Sequence, residues 1–298
     1  MNVAWVFPGQ GSQKLGMGKS VIKLDDAKKR FDFASDLFKK DLFSICENNP
    51  QENDFEFDLN NTKNTQICLF LVESILLDIL KQKGYEPDFI AGHSLGEITA
   101  LYAANVLSFE NCVSLIKVRS ELMSTATQGA MAAVINFDRN ELETLVAKTE
   151  DTYIANDNSS SQVVLSGTKK ALDQISSQLN CKRFIHLKVS GAFHSNFMSN
   201  PSDKFSEYLE KVLFDKPSYP VISNSNPFLS QDPTELKAKL KDQMCNGVRW
   251  RETMDVMNQR GDLHIVEIGP SNVLGGIAKR HLKDVKISQV SSSETLSY

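Results

Sequence analysis

Gly92-His93-Ser94-Leu95-Gly96 has the form G-x-S-x-G, which suits a hydroxyl nucleophile. The form demands a sharp strand-to-helix turn that thrusts the serine Oγ outward. Glycines stand on either side because a Cβ there would clash. The N–H groups at the start of the helix can steady a developing oxyanion. As a bare string the pattern is weak, but its setting strengthens it. Asp88-Phe89-Ile90-Ala91-Gly92 reads as a strand entering a turn, and Leu95 to Val106 reads as a helix.

A serine nucleophile needs a base. Of the five histidines, His194 sits in Ser190-Gly191-Ala192-Phe193-His194-Ser195, a loop of small residues that can carry an imidazole into a cleft. His186 and His264 fall inside strand patterns and read as packed residues. Arg119 is the most informative single side chain. On the helix that Ser108 should cap, Cys112, Leu115, Ile116, Leu122 and Met123 form the apolar stripe, and Arg119 lies inside it. A guanidinium on a buried face keeps its proton and needs an anion. The readings open are a snorkelling arginine or a structural pair, with Glu97 as partner, and a bidentate clamp for a substrate carboxylate. The clamp would make the acyl group one half of a dicarboxylic acid, held as a thioester.

The loop Gly9-Gln10-Gly11-Ser12-Gln13 invites a phosphate-loop reading, which fails. Gly18-Lys19-Ser20 ends like such a motif, yet position 13 is Gln where the leading glycine belongs. A dinucleotide fingerprint fails because position 14 is Lys. A loop that brings the Gln10 backbone N–H near the nucleophile fits better.

These residues need elements to place them. Val3 to Phe7 reads as a buried strand stopped by Pro8-Gly9, and Thr65 to Lys83 as a buried helix that Gly84 ends. Strand, turn and helix in succession give α/β character. The middle of the chain differs. Strands at Met131–Ile135, Tyr153–Ala155, Gln162–Leu165 and Arg183–Val189 alternate with helices at Arg139–Lys148 and Thr168–Leu179. That βαββαβ order is a ferredoxin-like unit, with Asn156 to Ser161 as a connecting loop. Strand patterns resume at Tyr219–Ile222 and His264–Ile268, so the unit is inserted. Residues 1–127 and 193–298 are therefore expected to form a large α/β domain, and 128–192 a small ferredoxin-like one. The polar tail from Ser288 to Tyr298 reads as loose.

Composition excludes other classes. The chain has 298 residues, 41% of them apolar, and a net charge of −4, which argues against disorder and against nucleic-acid binding by bulk positive charge. No apolar run approaches the roughly 20 residues of a membrane span, and the N-terminus has no export signal. A cytoplasmic protein is expected. The five cysteines form no CxxC and the histidines no HxxxH, so neither a disulfide framework nor a metal site is expected. The cysteines read as buried small hydrophobes.

Phe7-Pro8-Gly9-Gln10-Gly11-Ser12-Gln13, Gly92 to Glu97, Arg119 and Ala192-Phe193-His194-Ser195 together resemble the malonyl-CoA:acyl-carrier-protein transacylase family. Asn156 to Asn158, Gln162-Val163-Val164, Val248-Arg249-Trp250 and Gly269-Pro270 also fall where that family has motifs. The resemblance spans nearly the whole chain. It implies a large α/β-hydrolase-like domain with a parallel sheet plus a small ferredoxin-like domain, and ping-pong transfer through an acyl-serine without a cofactor. Carried over, Ser94 is the nucleophile, His194 the base and Arg119 the malonyl carboxylate clamp, and the N–H groups of Gln10 and Leu95 form the oxyanion hole. Malonyl-CoA and an acyl carrier protein or polyketide synthase carrier domain are the implied partners, and a monomer is expected. Phe193, beside the base, should disfavour an α-methyl branch on the substrate. Arg249 stands where fatty-acid members commonly have Gln and where the main-chain carbonyl orients the histidine; its side chain is a candidate substrate contact. Val-Arg-Trp with Ala-Phe-His-Ser leans towards the discrete acyltransferases that serve polyketide synthases in trans. An acyl hydrolase that clears carrier proteins is the alternative, against which Arg119 argues.

Overall fold

The protein is described here from a computed structural model covering residues 1–48 and 54–298. Ten strands are described: β1 Asn2–Phe7, β2 Phe89–Gly92, β3 Ala130–Phe137, β4 Thr152–Ser159, β5 Gln162–Gly167, β6 Cys181–His186, β7 Val221–Ile222, β8 Leu229–Ser230, β9 Leu263–Ile268 and β10 Lys286–Val290. The helices are α1 Ala27–Phe38, α2 Leu42–Glu47, α3 Thr62–Gln82, α4 Gly96–Ala103, α5 Phe109–Thr125, α6 Arg139–Lys148, α7 Lys169–Gln178, α8 Ser199–Glu210, α9 Pro233–Asp242, α10 Trp250–Asn258 and α11 Val273–His281.

Six strands form one sheet in the order β10-β9-β1-β2-β7-β8, parallel except for the edge strand β8. Period-2 alternation decides what each face buries. Trp5, Phe7 and Ile90 point into the larger core, which α3, α4 and α5 complete. Ala4, Val6, Phe89 and Ala91 point the other way and pack with Trp250, Met254, Leu274 and Ile277 of α10 and α11. Both faces are covered, so the strands are near-continuously apolar. Among the described residues, no helix is long and apolar enough to cross a membrane.

The second sheet is antiparallel, in the order β4-β5-β3-β6. With α6 and α7 between its strands, this is the ferredoxin-like arrangement expected from the βαββαβ order. Ala132, Val134, Val163 and Leu165 pack with Leu142, Leu172 and Ile175 of α6 and α7. On the opposite face, Met131 and Val164 join the larger core. Strand β4 is also tied to the segment before α10 and to α10 itself. Val248 N–H donates to the Ala155 carbonyl (2.8 Å), Asp157 N–H donates to the Val248 carbonyl (2.8 Å), and Asp157 accepts from both Arg139 and Arg251.

Several expectations fail here. Asn156 to Ser159 is strand rather than loop, because Val248 supplies backbone partners to a polar run that would otherwise be a poor strand. Nor is the tail loose. Lys286–Val290 pairs with β9, and Trp5 Nε1–H donates to the Tyr298 hydroxyl at 2.8 Å. His186 also departs from expectation: it is exposed and lies 3.1 Å from Asp173, whereas His264 is buried. Cys46, Cys68 and Cys112 are buried as expected, while Cys181 and Cys245 are half-buried.

Trp5 is fully buried, so removing its acceptor strands an indole N–H. Tyr298→Phe is expected to lower unfolding stability by about 1–3 kcal/mol, the usual cost of an orphaned buried donor. Urea denaturation of the variant against the parent chain measures this, and an unchanged midpoint would contradict the contact.

Candidate active site

The site lies at the carboxyl ends of β1 and β2, where open α/β sheets hold their ligands. Ser94 follows β2 directly and has φ 54°, in the left-handed region that non-glycine residues rarely occupy. Its neighbours show why the flanking glycines are required. A Cβ on Gly92 would land on the Gly96 carbonyl, and one on Gly96 would land on the Phe7 carbonyl. Gly9 is equally constrained, since its Cβ would lie 2.5 Å from the His93 carbonyl oxygen. The Gly9 loop, the end of β1 and the elbow are thus packed backbone on backbone.

His194 arrives from the loop after the small sheet and also has a positive φ, 55°. Ser94 Oγ–H donates to His194 Nε2 at 2.9 Å. On the far side of the ring, Nδ1–H donates to the carbonyls of Gln243 (2.9 Å) and Asn246 (3.1 Å). Two carbonyls around Nδ1 require the proton there, which leaves Nε2 as the acceptor. Burial, reinforced by the charge of Arg119, lowers the His194 pKa to about 4. At neutral pH the imidazole is therefore an unprotonated base already joined to a hydroxyl.

Arg119 is fully buried beneath the serine. It donates to Gln66 Oε1 (2.6 Å), Gln243 Oε1 (2.9 Å) and Ser94 Oγ (3.1 Å), all neutral groups. Its Nε–H is buried and, among the described residues, has no partner. Burial lowers its pKa to about 10, so it remains charged at neutral pH. The direct pair with Glu97 is not formed; Gln243 stands between, donating from Nε2 to Glu97 Oε2 at 2.7 Å and to the Ser94 carbonyl at 2.8 Å. Burial raises the Glu97 pKa from its ordinary value.

Gln10, His93, Ser94, Asn156, Phe193 and His194 line a cavity of about 90 Å³ above these groups. Leu95 N–H opens the first turn of α4, and among the described residues neither it nor Gln10 N–H meets an acceptor. The arrangement can activate a hydroxyl, hold an anion beside it and expose two unpaired N–H groups.

Comparison with known proteins agrees with the geometry. Residues 4–296 match the family model described as acyl transferase domain. This chain belongs to that family. A malonyl CoA-acyl carrier protein transacylase of Synechocystis sp. is 41% identical over 99% of both chains. The crystal structure of a Synechocystis sp. malonyl-CoA:ACP transacylase superposes with a TM-score of 0.94, covering 99% of each chain at 41% identity. A polyketide biosynthesis malonyl CoA-acyl carrier protein transacylase of Bacillus subtilis, PksC, is 36% identical over 95% of this chain and 98% of its own length. A malonyl-transacylase solved in complex with a type II PKS acyl-carrier protein gives a TM-score of 0.91 at 31% identity, covering 99% of this chain and 98% of that one.

In this acyl transferase domain, Ser94, His194, Arg119, Gln10, Leu95 and Phe193 converge from four separate stretches of chain. Arg249 does not join them. Its guanidinium is half-exposed and pairs with Glu252, three residues along α10. Nor does its carbonyl orient His194, because Thr253 N–H and Oγ1–H of the first turn of α10 already donate to it. Gln243 and Asn246 do that work instead. Sequence reasoning missed these two, as well as Gln66 and Asn224. Asn224 Oδ1 accepts from Ser94 N–H at 2.7 Å, and its Nδ2–H donates to the Gly92 carbonyl at 2.6 Å.

The lowered pKa of His194 sets a pH dependence. A depressed pKa means that the proton binds only in acid, so the base form persists through the neutral range. Modification of Ser94 by a serine-directed sulfonyl fluoride should run at one rate from roughly pH 5.5 to 8 and fall only near pH 4. A step near pH 6.5, the ordinary histidine value, would contradict the buried imidazole.

Proposed function

We propose that this chain moves a malonyl group from malonyl-CoA, through an acyl-serine on Ser94, to the phosphopantetheine thiol of an acyl carrier protein, and that it does so as a cytoplasmic monomer. Ser94 Oγ attacks the thioester carbonyl while His194 Nε2 takes its proton. The N–H groups of Gln10 and Leu95 receive the oxyanion. Collapse expels the CoA thiolate, which recovers the proton from His194. The carrier thiol then gives its proton to His194, attacks the acyl-serine and leaves with the malonyl group. The free serine hydroxyl is regenerated, so the reaction needs no cofactor.

One observation carries the malonyl assignment: a fully buried, charged guanidinium touching the nucleophile and partnered only by neutral groups. A buried cation with no carboxylate of the described residues bonded directly to it is matched by a substrate that brings one. The names of the relatives point the same way. The pathway is a separate proposal. Relatives named for polyketide biosynthesis and relatives named without it both match, and the Val248-Arg249-Trp250 and Ala192-to-Ser195 motifs favour the discrete polyketide type. Residues 1–127 with 193–298 are taken as the large domain and 128–192 as the small one, so the acyl-serine forms in the cleft between them.

Incubation with malonyl-CoA should give a covalent malonyl adduct by intact-protein mass spectrometry, absent in Ser94→Ala and discharged by holo carrier protein. Discharge by water at the same rate would instead indicate a hydrolase. Arg119→Ala should lose about 2–5 kcal/mol of transition-state stabilisation for malonyl-CoA, the usual effect of removing one member of a buried charge pair, and little for acetyl-CoA. Competition between the two thioesters measures that preference.

A further inference from the structure

Glu97 takes no step in the transfer as described, yet it is a fully buried carboxyl group in the first turn of α4, three residues past the nucleophile. Buried glutamates are rare unless a partner holds them. Arg119 is reached only through Gln243, so that cation is not what holds it. Two neutral donors meet on one oxygen instead. Oε2 accepts from Gln243 Nε2–H at 2.7 Å and from the Asn224 backbone N–H at 3.3 Å. Those two residues are the ones that grip the elbow. Gln243 Nε2–H also donates to the Ser94 carbonyl at 2.8 Å, and Asn224 Oδ1 accepts the Ser94 N–H at 2.7 Å. The Glu97 N–H closes the ring, donating to the same Ser94 carbonyl at 3.1 Å.

A glutamine amide has nearly the same shape in either direction, so its hydrogen-bond partners must choose which end points where. Here that choice decides what Arg119 meets. With Nε2 towards Glu97 and the Ser94 carbonyl, Gln243 Oε1 faces the guanidinium and accepts from it at 2.9 Å. Turned over, the amide would set its N–H groups against a cation and its oxygen against the Glu97 carboxyl. Glu97 Oε2 already takes an N–H from Asn224, so it can only accept at this position. We infer that Glu97 is a positioning residue for substrate selection: it locks Gln243 with its oxygen on Arg119 and so aims the guanidinium that reads the malonyl carboxylate. That role rests on the malonyl-transfer reading and adds how its clamp is held.

The test follows malonyl preference, the ratio of kcat/KM for malonyl-CoA to that for acetyl-CoA in loading Ser94. Both values come from one preparation, so partial misfolding of a variant cancels. Glu97→Gln keeps an oxygen that can accept from Gln243 and Asn224, whereas Glu97→Leu keeps most of the bulk and removes the acceptor. The ratio should fall roughly tenfold in Glu97→Leu, the effect of leaving a buried amide N–H unpaired. In Glu97→Gln it should stay within about twofold of the parent chain. Gln243→Leu should lose a similar factor, and adding Glu97→Leu to it should lose no more, because Glu97 acts through Gln243. An equal fall in Glu97→Gln would show that the charge matters rather than the acceptor, and would overturn the assignment. So would an unchanged ratio in Glu97→Leu, or losses that multiply in the double variant. In each of these cases malonyl loading of the parent chain stands. A parent chain that malonyl-CoA fails to load would overturn the transfer reading and the role of Glu97 together.

Discussion

The site depends on holding one serine in a backbone conformation that it disfavours. A non-glycine residue in the left-handed region stores roughly 1–3 kcal/mol and persists only where its surroundings over-determine it. Here they do so at every polar atom of Ser94. Its N–H is held by Asn224 and its carbonyl by Gln243, and its hydroxyl lies between Arg119 and His194. The glycines at 92 and 96 let three backbone segments touch, so that the elbow cannot relax without disturbing β1 and the Gly9 loop.

The second constraint is electrostatic. Arg119 and His194 lie close enough for the cation to depress the imidazole pKa, and both are buried. A carboxylate at either of the amide positions, 66 or 243, would neutralise the guanidinium and compete with an incoming carboxylate. It would also stabilise protonated His194 and weaken it as a base. Neutral amides avoid both effects while still satisfying two of the guanidinium nitrogens. Orientation of His194 by main-chain carbonyls follows the same logic: they fix the tautomer without adding negative charge beside the base.

What the sequence made legible was what local chemistry requires. The elbow could be read because its glycines answer to contacts within a few residues of Ser94. Arg119 could be read because a charge inside an apolar stripe is an anomaly on its own helix. Gln66, Asn224, Gln243 and Asn246 could not be read. Each is an ordinary amide whose task is defined by a partner far away in the chain; Asn224 and Gln243 lie 130 and 149 residues from Ser94. Arg249 shows the opposite failure. Its position suggested a role, but its backbone carbonyl is taken up by the first turn of α10 and its charge by Glu252. The tail was misread for a similar reason, since nothing local to Tyr298 reveals that it closes over Trp5.

The misread segment at Asn156 to Ser159 is the most instructive, because its polarity has one cause and its strand geometry another. Alone, Asn-Asp-Asn-Ser favours a turn, since such side chains compete with the backbone for hydrogen bonds. In the fold the backbone bonds are supplied from two directions, by β5 and by Val248, and the side chains are released from that competition. Asp157 then anchors two arginines, Arg139 of α6 and Arg251 of α10, and Asn158 secures His93. A strand held this firmly has no need of polar residues for its own stability. Their presence there is explained by what faces them: Asp157 meets the two arginines, Asn158 meets His93, and Asn156 lines the serine's cavity.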